Sequence, residues 1–225
     1  GYVDEVNMIG MEHGIPVIDD CVEAFGSKYK GNYTGNLGTD VTIFSFQTVR
    51  LPNTIDGGAI VFKDSDLYKK ALLTRDFGIR RDIFRDENNE ISAKCDISLS
   101  GYGATMSDIN SYIGCCQMDE IMMLLESQQR NAKKWDVIIE QTYPRFYRLN
   151  QRDQIQPNYW VYGFLCDRKI EVMLDFRKQG YYASGVHLNN NCYSVFGNTE
   201  KLCGVNDFMK KFVPIPCGWW LNLNL

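Results

Sequence analysis

Val17-Ile18-Asp19-Asp20-Cys21-Val22-Glu23-Ala24-Phe25-Gly26 is the stretch on which the fold turns. It closes a short apolar run, Ile15 to Cys21, whose end carries two acids. That is the pattern of a buried strand running out into a turn. A carboxylate at the carboxyl end of a parallel strand lies where open α/β sheets bind ligands. Such an acid can hold a protonated ring nitrogen, a ribose hydroxyl or a metal, and it can equally cap the turn that follows.

Working outward, Val3, Val6, Ile9 and Gly10 recur at helical spacing within Tyr2 to His13, and Gly14 serves as the stop. Downstream, Val41 to Phe46 and Gly58 to Phe62 read as strands. Asp64 to Asp76 reads as a helix with Leu67, Ala71 and Leu72 on one face. Ser107 has the chemistry of an N-cap, and Ile109, Tyr112, Ile113 and Cys116 follow as one stripe. A longer helix is predicted from about Asp119 to Gln141, with Pro144 as a boundary. Beyond it, Tyr159 to Cys166 reads as a strand, Lys169 to Gln179 as an amphipathic helix ended by Gly180, and the tail as loop.

Helices and buried strands alternate in the first half, which predicts an α/β fold: a mostly parallel sheet sandwiched by helices. Residues 144–225 are expected to form a smaller α+β domain, joined to residues 1–143 through the long helix. A doubly wound sheet ordinarily opens on its own first strand and phosphate loop, whereas this chain opens on a helix. The expectation is therefore the C-terminal part of something longer.

The composition excludes several classes. Among 225 residues there are 24 basic and 28 acidic side chains, a net charge of −4, and no Lys/Arg block, so a broad nucleic-acid footprint is not expected. No apolar run reaches the roughly 20 residues that span a bilayer. The first residues carry two acids and no basic segment, so no signal peptide and a cytoplasmic location are expected. The eight cysteines show no CxxC spacing and there are only two histidines, His13 and His187. Buried reduced thiols and no metal site are the expectation.

Other stretches carry candidate chemistry. Ser45, in Phe44-Ser45-Phe46-Gln47-Thr48-Val49-Arg50, follows a strand and precedes Asp56-Gly57-Gly58, so its hydroxyl can donate to a phosphate. Arg75, Arg80, Arg81 and Arg85 interleave with Asp76, Asp82 and Asp86. They can clamp a diphosphate or form a solvated, ion-paired loop. His187 sits in the polar stretch Gly185 to Asn191, as a substrate contact or a structural residue. Met118, Met122 and Met123 mark a core or subunit interface, and Trp219-Trp220 a packing plug.

Taken in order, these segments resemble the nucleotide-sugar aminotransferases of the DegT/DnrJ/EryC1/StrS family, pyridoxal-phosphate enzymes of fold type I. The resemblance runs from His13-Gly14-Ile15-Pro16-Val17-Ile18-Asp19-Asp20-Cys21 through Gly26 to Gly31 and Gly35 to Asp40. It continues through Phe44-Ser45-Phe46 with Asp56-Gly57-Gly58, Phe77 to Arg81, and Gly101 to Gly114. It is looser in the tail at Gly185-Val186-His187 and Ile215-Pro216.

The resemblance implies roles. Asp20 pairs with the pyridine nitrogen and Ser45 donates to the cofactor phosphate. Glu23 and Gly103 fall at cofactor-facing positions, and Arg80, Arg81 and His187 are candidate substrate contacts. It also implies a nucleotide-linked keto-sugar substrate, an amino-acid donor, amino-sugar or surface-polysaccharide biosynthesis, and a homodimer. Four positions depart from the pattern. Arg50 stands where the family has its Schiff-base lysine, and arginine stays charged and cannot serve as that amine. Glu23 replaces Gln or His, Gly103 replaces Asn, and Thr105 replaces Arg. Two expectations follow: an aminotransferase, or a member that binds cofactor or nucleotide sugar without transferring the amino group.

Overall fold

The computed structural model describes residues 2–149, 152–197 and 202–223. Its contacts divide the chain into two compact units: 1–25 with 32–119, and 26–31 with 120–225. Pro144 thus lies inside the second unit, and the long helix belongs to that unit rather than to the first.

The first unit opens on α1, Val3–His13. Gly14, with φ 62°, ends it in the left-handed conformation that glycine adopts without a Cβ penalty. Strand β1 is Ile18–Asp20. Strand β2, Lys28–Tyr29, groups with the second unit, and β3 is Asn32–Tyr33. Strand β4 is Val41–Ser45 and β5 is Gly58–Phe62. Helix α2, Ser65–Arg75, starts where the Asp64 carboxylate accepts from the Leu67 amide. Helix α3, Asp108–Met118, starts where Ser107 Oγ accepts from the Asn110 amide. Both caps satisfy amide groups that the first helical turn otherwise leaves without partners.

β1 runs parallel to β4, and β5 pairs with β4 antiparallel. Successive strand residues alternate between faces. With Asp20 opposite Ile43, one face therefore carries Ile18, Asp20, Val41, Ile43, Ser45, Ile60 and Phe62. The other carries Asp19, Thr42 and Phe44. The first face meets α2 across a groove of about 810 Å³ lined by Ile43, Ile60, Phe62, Leu67, Tyr68 and Ala71. On the second face Phe44 packs edge-on to Phe25, with ring centroids 5.4 Å apart, and the Thr39 and Thr42 hydroxyls share a hydrogen bond.

Strand β1 is shorter than the predicted Ile15–Cys21. Ile15 closes the end of α1 by donating to Gly10 O, Pro16 has no amide hydrogen, and the Val17 amide is taken by the Asp40 side chain. The Val17 carbonyl already accepts from the Val41 amide, and the residue-by-residue register with β4 runs from Ile18 to Asp20.

The second unit holds α4, Ile121–Thr142, and short strands β6, Tyr147–Arg148, and β7, Ile155–Gln156. It continues with β8, Tyr162–Leu165; α5, Lys169–Lys178; α6, Cys203–Lys211; and β9, Phe212–Ile215. β8 pairs antiparallel with both β6 and β9, while β2 pairs with β7. The core gathers Ala132, Trp135 and Ile139 of α4, Phe164 of β8, Phe176 of α5, and Val213, Ile215 and Cys217. Trp135 sits at its centre, its indole nitrogen donating to Pro216 O. The predicted strand from Tyr159 begins only at Tyr162, because Tyr159 takes a left-handed φ of 56° and Asn158 caps the Trp160 amide. Among the described residues no helix is long and apolar enough to cross a membrane.

Candidate functional site

Asp20 ends β1 and Ser45 ends the neighbouring parallel strand β4. Their side chains fall on the same face, at the carboxyl ends where α/β sheets bind ligands. Asp20 is exposed; its Oδ1 accepts from the Val22 amide at 3.2 Å, which fixes the carboxylate at the head of the turn. Ser45 Oγ accepts from the Gln47 amide at 3.4 Å, and its hydroxyl proton remains available for donation.

The opposite face of the same strand end behaves differently. Cys21 is buried, and burial with its hydrogen bond to Asp19 pushes its thiol up to about 12, so it is no nucleophile at neutral pH. Asp19 Oδ2 is buried with no hydrogen-bond partner. Sequence reasoning treated Asp19 only as the neighbour of Asp20; the strand alternation was the signal that the two acids face opposite ways.

The loop from Phe46 to Gly57 is tightly tied. The Phe46 amide donates to Gly57 O and the Thr54 amide to Phe46 O, while Thr54 Oγ1 donates to Asp56 O at 2.9 Å. Asn53 is clamped by Gln117 of α3: its amide donates to Gln117 Oε1 at 2.8 Å, and Gln117 Nε2 donates to Asn53 O. This loop carries Arg50. The guanidinium Nη1 donates to Glu23 Oε1 at 3.0 Å, and the side chains are 14% and 32% exposed. Two departures noted separately in the sequence are thus one ion pair, which no local pattern announced.

The other candidates are placed as follows. Arg81 forks onto Asp76 with two bonds of 2.6 Å, which hold the Asp76 carboxyl below its ordinary range. Arg80 binds Asp82 at 2.7 Å. Both arginines therefore stand in an ion-paired loop. Gly103 pairs with Asp76 as an isolated bridge, and a Cβ built on it would meet the Phe77 ring, so an asparagine there needs Phe77 to move. His187 lies in an irregular segment of the second unit, its ring 6.1 Å from that of Trp160. Among the described residues no group of three or more His, Cys, Asp and Glu could hold a metal ion.

A parallel strand pair presenting an acid and a serine on one face, followed by a loop held against a helix, places the chain with the fold type I pyridoxal-phosphate-dependent transferases. The solved structures agree. A sugar aminotransferase of Micromonospora echinospora superposes with a TM-score of 0.83 at 27% identity, over 96% of this chain and 57% of that one. A Helicobacter pylori aminotransferase involved in pseudoaminic acid biosynthesis gives 0.85 at 24% identity, over 99% and 60%, a likeness of fold.

The DegT/DnrJ/EryC1/StrS aminotransferase family profile matches residues 2–218, and the chain belongs to that family. Among its relatives is a UDP-4-amino-4,6-dideoxy-N-acetyl-beta-L-altrosamine transaminase of Campylobacter jejuni, 27% identical over 229 residues. That match covers 98% of this chain and 58% of the relative, so the chain spans little more than half of the relative's length.

The fold implies pyridoxal phosphate, and the residues present fit it in part. Asp20 has the charge to face a protonated ring nitrogen, and Ser45 has a donor for a phosphate oxygen on the same sheet face. Position 50 does not fit covalent attachment: its guanidinium stays charged and is already paired to a carboxylate.

Proposed function

We propose that this chain supplies the acid-bearing and serine-bearing part of a pyridoxal-phosphate sugar aminotransferase. The protein moves an amino group from an amino acid to a nucleotide-linked keto-sugar, in amino-sugar or surface-polysaccharide biosynthesis. The observation that carries the reading is Asp20 and Ser45 on one face at the carboxyl ends of adjacent parallel strands. The relatives support it: the matched Campylobacter jejuni protein is a sugar-nucleotide transaminase.

When bound, the cofactor supplies the electron sink for the transfer. The chain's own residues orient it. Asp20 keeps a ring nitrogen protonated, and Ser45 donates to a phosphate oxygen. Glu23 adds a negative charge beside the ring that Arg50 neutralises. Residues 1–143 are read as the later part of the cofactor-binding domain and 144–225 as the small domain. Arg80, Arg81 and His187 are the substrate contacts of this reading, with the Asp76 and Asp82 pairs opening to release the arginines. A cytoplasmic homodimer belongs to it too.

A second reading is favoured by the Arg50–Glu23 pair: the site holds cofactor or nucleotide sugar without transferring the amino group. The test is equilibrium dialysis of pyridoxal phosphate against the chain, its Asp20→Asn and Ser45→Ala variants, and then a keto-sugar nucleotide with a panel of amino acids. Binding lost in both variants supports the placement. Amino-sugar formation supports the first reading, and binding without product supports the second. Equal binding by all three proteins contradicts the placement.

A further inference from the structure

The second unit holds a cavity that the proposed chemistry does not use. It lies between the carboxyl end of α4, with the turn that follows, and one face of α5, and its volume is about 530 Å³. Small-molecule sites commonly measure about 300–1,000 Å³. The α5 side of it is a single helical stripe that includes Arg168, Glu171, Val172, Asp175 and Phe176.

The wall is aromatic. Tyr143 and Phe146 line the cavity and stack nearly parallel, with ring centroids 4.9 Å apart. Phe146 stacks in turn on Phe164, also at 4.9 Å, so the wall is backed by the core. Phe176 and Val172, both buried, complete the apolar lining. Flat ring faces of this kind favour a planar guest in an offset stack.

The rim is charged, and its charges on α5 are already matched. Arg168 Nη1 binds Glu171 Oε1 at 2.8 Å, and Lys178 Nζ binds Asp175 Oδ1 at 3.1 Å. The fifth charged lining residue is Arg145, whose guanidinium has no partner among the described residues. The cavity therefore carries one net positive charge, on a planar fork that matches a carboxylate or a phosphate.

We propose that this cavity is a binding site for a planar aromatic anion. The ring lies against Tyr143 and Phe146, and the carboxylate or phosphate takes Arg145. Every residue of the site belongs to 120–225, and none is a cofactor candidate. The inference goes beyond the aminotransferase reading and does not rest on it.

The experiment is equilibrium dialysis of the chain against four probes: 2-naphthoate, 2-naphthyl phosphate, the neutral 2-naphthylmethanol and inorganic phosphate. None has an aldehyde or a ring nitrogen, so the result is separate from the Asp20 and Ser45 placement. At least one naphthyl anion is expected to bind about fivefold or more tightly than the alcohol and than inorganic phosphate. Which anion does so identifies the head group. Arg145→Gln is expected to bring that anion down to the level of the alcohol. Lys133→Gln, which removes an exposed cation elsewhere on α4, is expected to leave it unchanged. No binding by either anion, anions and alcohol bound equally, or equal losses in the two variants would overturn the proposal.

Should Arg145→Gln not fold, judged by circular dichroism, the unaltered chain still decides. The saturating anion is expected to slow phenylglyoxal modification of Arg145 several-fold and to leave Arg130 of α4 unaffected. An unchanged rate at Arg145 would overturn the proposal.

Discussion

The two compact units are held by different physics. In the second, Trp135, Ile139, Phe164, Phe176, Val213 and Ile215 are essentially sealed from water around one aromatic cluster. In the first, the sheet leaves Ile18 at 62% and Ile60 at 52% exposure, and the loops that carry the candidate site are tied by hydrogen bonds and ion pairs. Apolar burial makes the second unit a stable body. Directional bonds make the first a place where side chains are aimed. Asp20, Ser45, Glu23 and Arg50, the cofactor-facing candidates, all lie in the first unit.

The largest effect that tests this contrast is Trp135→Ala, expected to cost about 3–5 kcal/mol in urea denaturation, because a buried ring leaves a cavity its neighbours cannot fill. Ile60→Ala, on the open face of the sheet, is expected to cost under about 1 kcal/mol. Similar costs would erase the distinction.

Thiol reactivity follows. Cys21 and Cys217 are buried and both pushed up to about 12, burial being the main cause, whereas Cys115, Cys116, Cys192 and Cys203 are exposed. At mildly alkaline pH, Ellman's reagent is expected to react with the exposed four at least about a hundredfold faster.

Smaller is Thr54→Val, which keeps the shape but removes the hydroxyl between Phe46 O and Asp56 O. It is expected to cost about 1–3 kcal/mol, and to loosen the Arg50 loop to proteases. Smallest is a pH effect at the arginine loop. Arg81 lowers Asp76, so the pair contributes fully above the ordinary carboxylate range and is lost as pH falls through the depressed value. The protection of amides in 76–103, after correction for the intrinsic exchange rate, is expected to fall only on acidification below about pH 4, and not on raising the pH.

Much of the fold was legible because its signals are local. Gly58 to Phe62 reads as a strand from its own composition, and Ser107 announces the cap of α3. β1 was overextended because the competition of Gly10 O and the Asp40 side chain for the Ile15 and Val17 amides lies outside a strand pattern. The pairing of Tyr29 with Ile155 joins residues far apart in the chain and has no local signature. The same holds for the site. Asp20 and Ser45 could be singled out as candidates because strand ends are readable, and Arg50 and Glu23 were each singled out by resemblance. Their contact was not foreseen, since two loops 27 residues apart carry no periodicity that relates them.

The central claim is that Asp20 and Ser45 place the cofactor while position 50 leaves it unattached. The most direct measurement is borohydride reduction of the chain saturated with pyridoxal phosphate, followed by dialysis and peptide mass mapping. The account expects reversible binding that Asp20→Asn abolishes, with no stoichiometric pyridoxyl adduct on any lysine. One equivalent fixed on a single lysine of the unaltered chain would contradict it.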